Sequence, residues 1–223
     1  MKNSLLKNVV LGVLVAGIVG ASQAQAANIT LNGADPYQGY MNVFNLPSDG
    51  GAYQFGSGWG VPDLSCTFAG NNLTFTPNTI GDPNPYWYIG GGGPGHPGNK
   101  IMDANMYCEN VNGAIPGATV NFSGMVLSNT LTSAHVVKAF IRDFAPDFSS
   151  NVEHSAVLPT SGSFSLNLVT VSDPARHVQY GFQMVGPCVW ITDIAQFGKV
   201  VIGPTQAVPT KATSWGRMKS LYR

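Results

Sequence analysis

The sequence predicts an all-β chain folded as a two-sheet, mostly antiparallel β-sandwich. Three observations carry that expectation. Apolar and polar residues alternate with a period of two in one short segment after another, as in strands buried on one face. Turn-forming clusters, drawing on 27 glycines and 15 prolines, separate these segments at close to the spacing of sandwich strands. Finally, no convincing amphipathic helix pattern appears before the C-terminal tail.

The first residues set the expected compartment. Lys2 and Lys7 precede an apolar run from Val9 to Gly20, and Ala24-Gln25-Ala26 supplies small residues for cleavage. This reads as a secretory signal peptide over residues 1–26, too short and wrongly flanked for a stable membrane span. A secreted or cell-surface location in a bacterium is the expectation. About 197 residues then remain, enough for one sandwich domain (27–203) and a linker with a basic, aromatic tail (204–223).

Strands are expected in order along the domain. After a polar, turn-rich stretch from Asn28 to Tyr40 comes a first strand, Met41 to Leu46, followed by an aromatic, glycine-laced segment from Tyr53 to Trp59. Leu64–Phe68 and Leu73–Thr76 form a hairpin across Ala69-Gly70-Asn71-Asn72. Asp82 to Asn110 is the densest stretch: the triplet Tyr86-Trp87-Tyr88, a glycine-proline loop from Gly90 to Gly98, then a strand. In that strand Met102, Ala104, Met106 and Cys108 alternate with Asp103, Asn105, Tyr107 and Glu109. Four further strands alternate as cleanly, over Ala118–Leu127, His135–Phe144, Ser163–Val171 and His177–Met184. Val189 and Ile191 are expected to alternate with Cys188, Trp190 and Thr192, and Lys199 to Ile202 closes the body.

Charge excludes one class of partner. The body keeps five basic against eleven acidic residues, a formal charge of −6, so it lacks the basic face that nucleic acid requires. Cys66, Cys108 and Cys188 fit no zinc spacing. Strand parity turns Cys66 and Cys108 both toward the core, so a Cys66–Cys108 disulfide is one reading, and three reduced, buried thiols are the other.

The polar strand faces carry the chemistry. Asn105, Tyr107, Phe140, Arg142, Gln179, Gln183 and Trp190 are all out of phase with the core residues of their strands. On a shared sheet they would form a patch of amides, one guanidinium and aromatic rings. Amides and guanidinium offer directional hydrogen bonds to hydroxyls, and ring faces pack on the apolar side of a pyranose. Trp87, with Tyr86 or Tyr88, would add a wall from the loop. The expected ligand-binding set is therefore Tyr86, Trp87, Tyr88, Asn105, Tyr107, Arg142, Gln179, Gln183 and Trp190, with a polysaccharide or cell-surface glycan as partner. The bland alternative is that polar residues simply face solvent on every half-buried strand.

Three local stretches resemble the galactose-binding-like jelly roll of carbohydrate-binding modules that accompany bacterial xylanases and laminarinases. MNVFNLPSDGGAYQFGSGW is similar to their opening, GATVNFSGMVLSNT with HVVKAFIRDF to their paired central strands, and HVQYGFQMVGPCVWITDIAQFGKVVI to their closing hairpin. The insertion from Asp82 to Asn99 departs from that pattern. The resemblance implies the jelly-roll fold and a sugar ligand. Such modules often hold a structural calcium, which draws attention to Asp143, Asp147 and Asp193, although no run here matches a dense calcium loop. No cofactor is expected.

Enzymatic readings find less support. The body has only Glu109 and Glu153 besides nine aspartates, with Glu109 the best single candidate for a hydrolase or lyase carboxylate. No G-x-S-x-G nucleophile motif occurs, and the glycine run ends in Gly98-Asn99-Lys100 before a strand, unlike a phosphate-binding loop. A catalytic role is therefore not the expectation. A structural role as a matrix, surface-layer or filament subunit, through self-association of edge strands, is the second reading. In the tail, Trp215, Met218, Leu221 and Tyr222 fall on one helical stripe with basic residues between, suited to contact with envelope or export machinery.

Overall fold

A computed structural model describes residues 26–109 and 115–205; residues 1–25, where most of the expected signal peptide falls, and 206–223, where most of the expected tail falls, lie outside the described residues. Two six-stranded sheets pack face to face. One runs in the order β1 (Ala26–Thr30), β7 (Thr119–Asn129), β12 (Val200–Gly203), β5 (Asn72–Phe75), β4 (Cys66–Ala69), with β10 (Gly162–Val169) also paired to β7. The other runs β3 (Tyr53–Trp59), β2 (Gln38–Asn45), β6 (Lys100–Glu109), β11 (His177–Pro187), β8 (Val136–Phe144), β9 (Asn151–Val157). From β6 onward the chain crosses repeatedly between the sheets, as in a jelly roll. No helix among the described residues is long and apolar enough to cross a membrane.

Alternation explains why these segments are strands and which side each presents. Val120, Phe122 and Val126 of β7 meet Val178, Tyr180, Phe182 and Met184 of β11 between the sheets, all buried. At the centre, Phe122 lies 5.4 Å from both Tyr180 and Phe182 in tilted contacts, and Phe164 of β10 closes the cluster edge-on. Aromatic rings packed at such angles gain attraction beyond the area they bury.

Three expectations are corrected, and two edge strands are added that the sequence reading had not assigned. The N-terminal stretch is not all turn, because β1 pairs in parallel with β7 and shares one edge of that long strand with β12. The segments at Tyr53–Trp59 and Asn151–Val157 are edge strands, and the second is exposed along nearly its whole length. Val189 to Thr192 does not form a strand: after Pro187 the chain turns into a 3-10 turn at Ile191–Asp193 and a single helical turn at Ile194–Phe197. The Cys66–Cys108 bridge does not form, since all three cysteines are free and buried. Both do face the core, as parity requires, but on different sheets.

Candidate functional site

The outer face of the β6-containing sheet is where chemistry concentrates. Its register sets residues side by side across strands: Glu109, Gln179, Arg142 and Glu153 form one row, and Tyr107, Gly181, Phe140 and Ser155 the next. Tyr40, Asn105, Gln183 and Lys138 form a third. Gly181 matters here because it occupies the middle of its row without a side chain, between Tyr107 and Phe140. A Cβ at that position would collide with the Met106 carbonyl, 2.0 Å away, so the strands approach too closely for any other residue.

Hydrogen bonds hold the polar side chains in fixed orientations. Arg142 sits over Phe140 with its guanidinium carbon 3.8 Å from the ring centroid. It donates from Nε to Glu153 at 2.6 Å and from Nη1 to the Asn105 side-chain oxygen at 2.7 Å. Asn105 in turn donates to Asp103 Oδ1 at 2.8 Å, and Gln183 donates to the same oxygen at 2.7 Å. Glu109 accepts from Gln179 at 2.8 Å and lies 2.7 Å from His177 Nδ1. Burial alone would raise the Glu153 carboxyl, but hydrogen bonds from Ser155 and Arg142 outweigh it and hold the group below its ordinary value. Burial chiefly, with the Glu109 charge second, pushes the Tyr107 phenol up, so it stays a neutral donor.

These residues bound a cavity of about 580 Å³ lined by Tyr40, Asn42, Asn105, Tyr107, Arg142, Phe144, Phe148 and Gln179. Phe148 comes from the turn after β8 and adopts a left-handed φ of 58°, unusual for a ring-bearing residue. The turn is closed by Phe148 N–H donating to the Ala145 carbonyl and Ala145 N–H to the Ser150 carbonyl. Phe148 is 53% exposed and stacks on His177 with centroids 4.2 Å apart, forming one wall.

Of the expected set, Asn105, Tyr107, Arg142 and Gln179 line this cavity, and Gln183 stands beside it through Asp103. The aromatic triplet does not reach it. Tyr88 is fully buried, its hydroxyl donating to the Ile80 carbonyl at 2.7 Å and lying 3.2 Å from Cys188 Sγ. Trp87 packs edge-on to Phe55 and onto the core, while Tyr86 lies under the Lys100 ammonium at 4.3 Å. Trp190 meets Tyr88 edge-on at the end of the sandwich. Sequence reading missed Tyr40, Asn42, Phe144, Phe148 and His177. Tyr40 and Asn42 had a usable signal, alternating with Met41 and Val43, whereas nothing local marks Phe148.

The three aspartates considered for calcium do not converge. Asp143 is buried and taken up by Arg176 Nε at 2.7 Å and the Val171 N–H at 2.8 Å. Asp147 bonds Ser149 in its own turn, and Asp193 accepts from the Gly95 N–H at 2.6 Å. Among the described residues no three His, Cys, Asp or Glu side chains gather into a metal site.

Comparison with known proteins adds little. No family model matches the sequence, and no curated protein matches it. Among solved structures, the chain is similar to the CBM22-2 xylan-binding domain of Paenibacillus barcinonensis Xyn10C, with 11% identity and a TM-score of 0.30. That similarity covers 49% of this chain and 78% of that domain. A match of that size carries no weight for ligand or mechanism, which rest on the site's own geometry.

Proposed function

We propose that the protein is an exported, non-catalytic carbohydrate-binding module whose ligand lies on the outer face of the β6-containing sheet. The observation that carries this reading is the cavity in which Arg142, Asn105 and Gln179 converge between the rings of Tyr107 and Phe148. Each polar group there is oriented by a neighbour, so little side-chain freedom is lost when a sugar hydroxyl arrives. The rings offer apolar faces, and the amides offer paired donors and acceptors that suit neutral hydroxyls. Asp103, Glu109 and Glu153 act as acceptors that position Asn, Gln and Arg side chains, which supports binding over hydrolysis. The leader-like sequence of residues 1–26, with its apolar run from Val9 to Gly20, supports export of this module to a surface where polysaccharide is met.

The test is calorimetric titration of the protein with a panel of soluble neutral polysaccharides, beside Arg142→Ala and Tyr107→Ala. Selective binding that both variants lose is the expected result. Binding retained in both, with the fold intact, would place the ligand elsewhere. The second reading, self-association into a structural layer, is favoured by β9, an edge strand with Val152 49% and Val157 61% exposed. Sedimentation over a wide concentration range decides it: a species that stays monomeric removes that reading.

A further inference from the structure

A second cavity lies at the end of the sandwich, away from the sheet face. It has a volume of about 380 Å³ and sits between the glycine-proline loop and the turn that follows β11. Trp190, Phe197, Ile89, Pro97 and Leu46 give it largely apolar walls; Asp193, Gln196 and His96 also line it, and His96 forms no ion pair with Asp193. The loop that forms one wall is fixed. Gly92 N–H donates to the Pro83 carbonyl at 2.7 Å, Ile89 N–H to the Pro97 carbonyl at 2.9 Å, and Tyr88 bridges to Gly98. A Cβ on Gly98 would fall 2.0 Å from the Cys188 carbonyl oxygen, and one on Gly92 would fall 2.4 Å from the Trp190 ring. The cavity is thus preformed.

Asp193 is the unusual member. Its residue is only 8% exposed, and its carboxylate accepts from the Gly95 N–H at 2.6 Å and the Thr192 hydroxyl at 3.1 Å. Both donors are neutral. The ion pairs among the described residues are Arg142–Glu153, Arg176–Asp143 and His177–Glu109, so no cationic side chain pairs with Asp193 there. A buried carboxylate whose charge is not offset by a cation is costly, and the aromatic rings of Trp190 and Phe197 line the same cavity. We propose that this cavity binds an organic quaternary ammonium ion, its charge set against Asp193 and its methyl groups against Trp190 and Phe197.

Two alternatives within cation binding are disfavoured by the same walls. A hard metal ion needs six or more oxygen ligands, and Asp193 stands among apolar side chains. A primary ammonium carries three N–H donors that only Asp193, Gln196 and His96 could meet with side-chain acceptors, all three at once, against walls that are otherwise apolar. A methylated ammonium carries none. The volume suits one small ligand, not a polymer chain. The site is independent of the sheet face and stands or falls separately from the glycan reading.

The experiment titrates the whole protein with choline and, separately, with its uncharged isostere 3,3-dimethylbutan-1-ol, following the Gly95 amide and the Trp190 indole by NMR. Choline is expected to shift both signals saturably, and the alcohol to bind roughly tenfold more weakly or worse, the increment of a desolvated cation over rings and a carboxylate. Asp193→Asn keeps an acceptor for the Gly95 N–H while removing the charge, and should erase the difference between the probes. Gln196→Lys supplies a cation from within and should block choline while leaving glycan titrations unchanged. If Asp193→Asn fails to fold, Gln196→Lys decides alone. Equal affinity for the two probes, no shift with choline, or undiminished choline binding in Gln196→Lys each overturns the proposal.

Discussion

Arg142 shows how one side chain can organise a face. Its guanidinium is supported from below by Phe140 and held at its edges by Glu153 and Asn105, which leaves it planar and fixed beside the cavity. Lysine has a charge but no fork, so Arg142→Lys should lower glycan affinity about tenfold while the melting temperature changes little, a split that titration beside thermal unfolding reads directly. Glu153 supplies a pH signature. Its carboxyl is held below the ordinary value in the folded state, so its contribution to stability is present above the unfolded value of 4.5 and fades as pH falls through the lower folded value. Urea unfolding from neutral pH downward should show that acid-side loss, and Glu153→Gln should flatten it.

The glycine-proline loop is the element on which sequence and structure part most. It is a docked loop whose backbone lies against the segment after β11, with Gly98 at the contact. Gly98→Ala should therefore cost about 1–3 kcal/mol of stability, as overpacking against rigid backbone does, measured as a lowered urea midpoint. His135, at the start of β8, ties this end together. It lies 3.0 Å from the Pro187 carbonyl through Nε2, edge-on to Phe197, with Nδ1 buried and unpartnered. Burial lowers its pKa from 6.5, against an opposing pull from the Pro187 carbonyl. The neutral ring is thus favoured by folding, and the fold should lose stability as pH drops below 6.5 toward the folded value. A His135→Gln variant whose stability is as pH-dependent as the parent's in that window would contradict this assignment.

For the whole molecule, the distribution of aromatic and sulfur groups says which residues serve the core. Trp87 belongs with the packing around Phe55, so Trp87→Ala should destabilise by about 2 kcal/mol and leave glycan affinity unchanged, the reverse of what its place in an exposed-looking loop suggests. The thiols are sealed as well. Burial raises Cys66 well above its ordinary value and pushes Cys108, beside the Asp35 charge, up to about 12. Thiol reagents should react with the native protein only as fast as it unfolds, and reductant should not shift its melting temperature.

Strand parity was legible in the sequence because a two-residue period leaves each side chain only two choices of face. Asn105, Tyr107, Arg142, Gln179 and Gln183 could each be turned away from the core by alternation alone, as Phe122 and Phe182 could be turned toward it, whereas the pairing of β6, β11 and β8 is what sets the first group side by side. Alternation says nothing once the chain leaves a strand. Val189 and Ile191 alternate with Trp190 as in a further strand, yet Pro187 withholds a donor from the ladder and the chain turns away. The left-handed turn that lifts Phe148 onto His177 has no local glycine to announce it. Tyr88 is sequestered between the carbonyls of nearby Ile80 and of Val189, which is distant in the chain, and no local pattern encodes the second contact. The sequence by itself determined the fold class and which side of each regular strand meets water, since both follow from local periodicity. The tertiary structure alone decided which loop rings are core, which wall the cavity, and which buried carboxylate has no cationic partner among the described residues, because those depend on contacts between segments far apart in the chain.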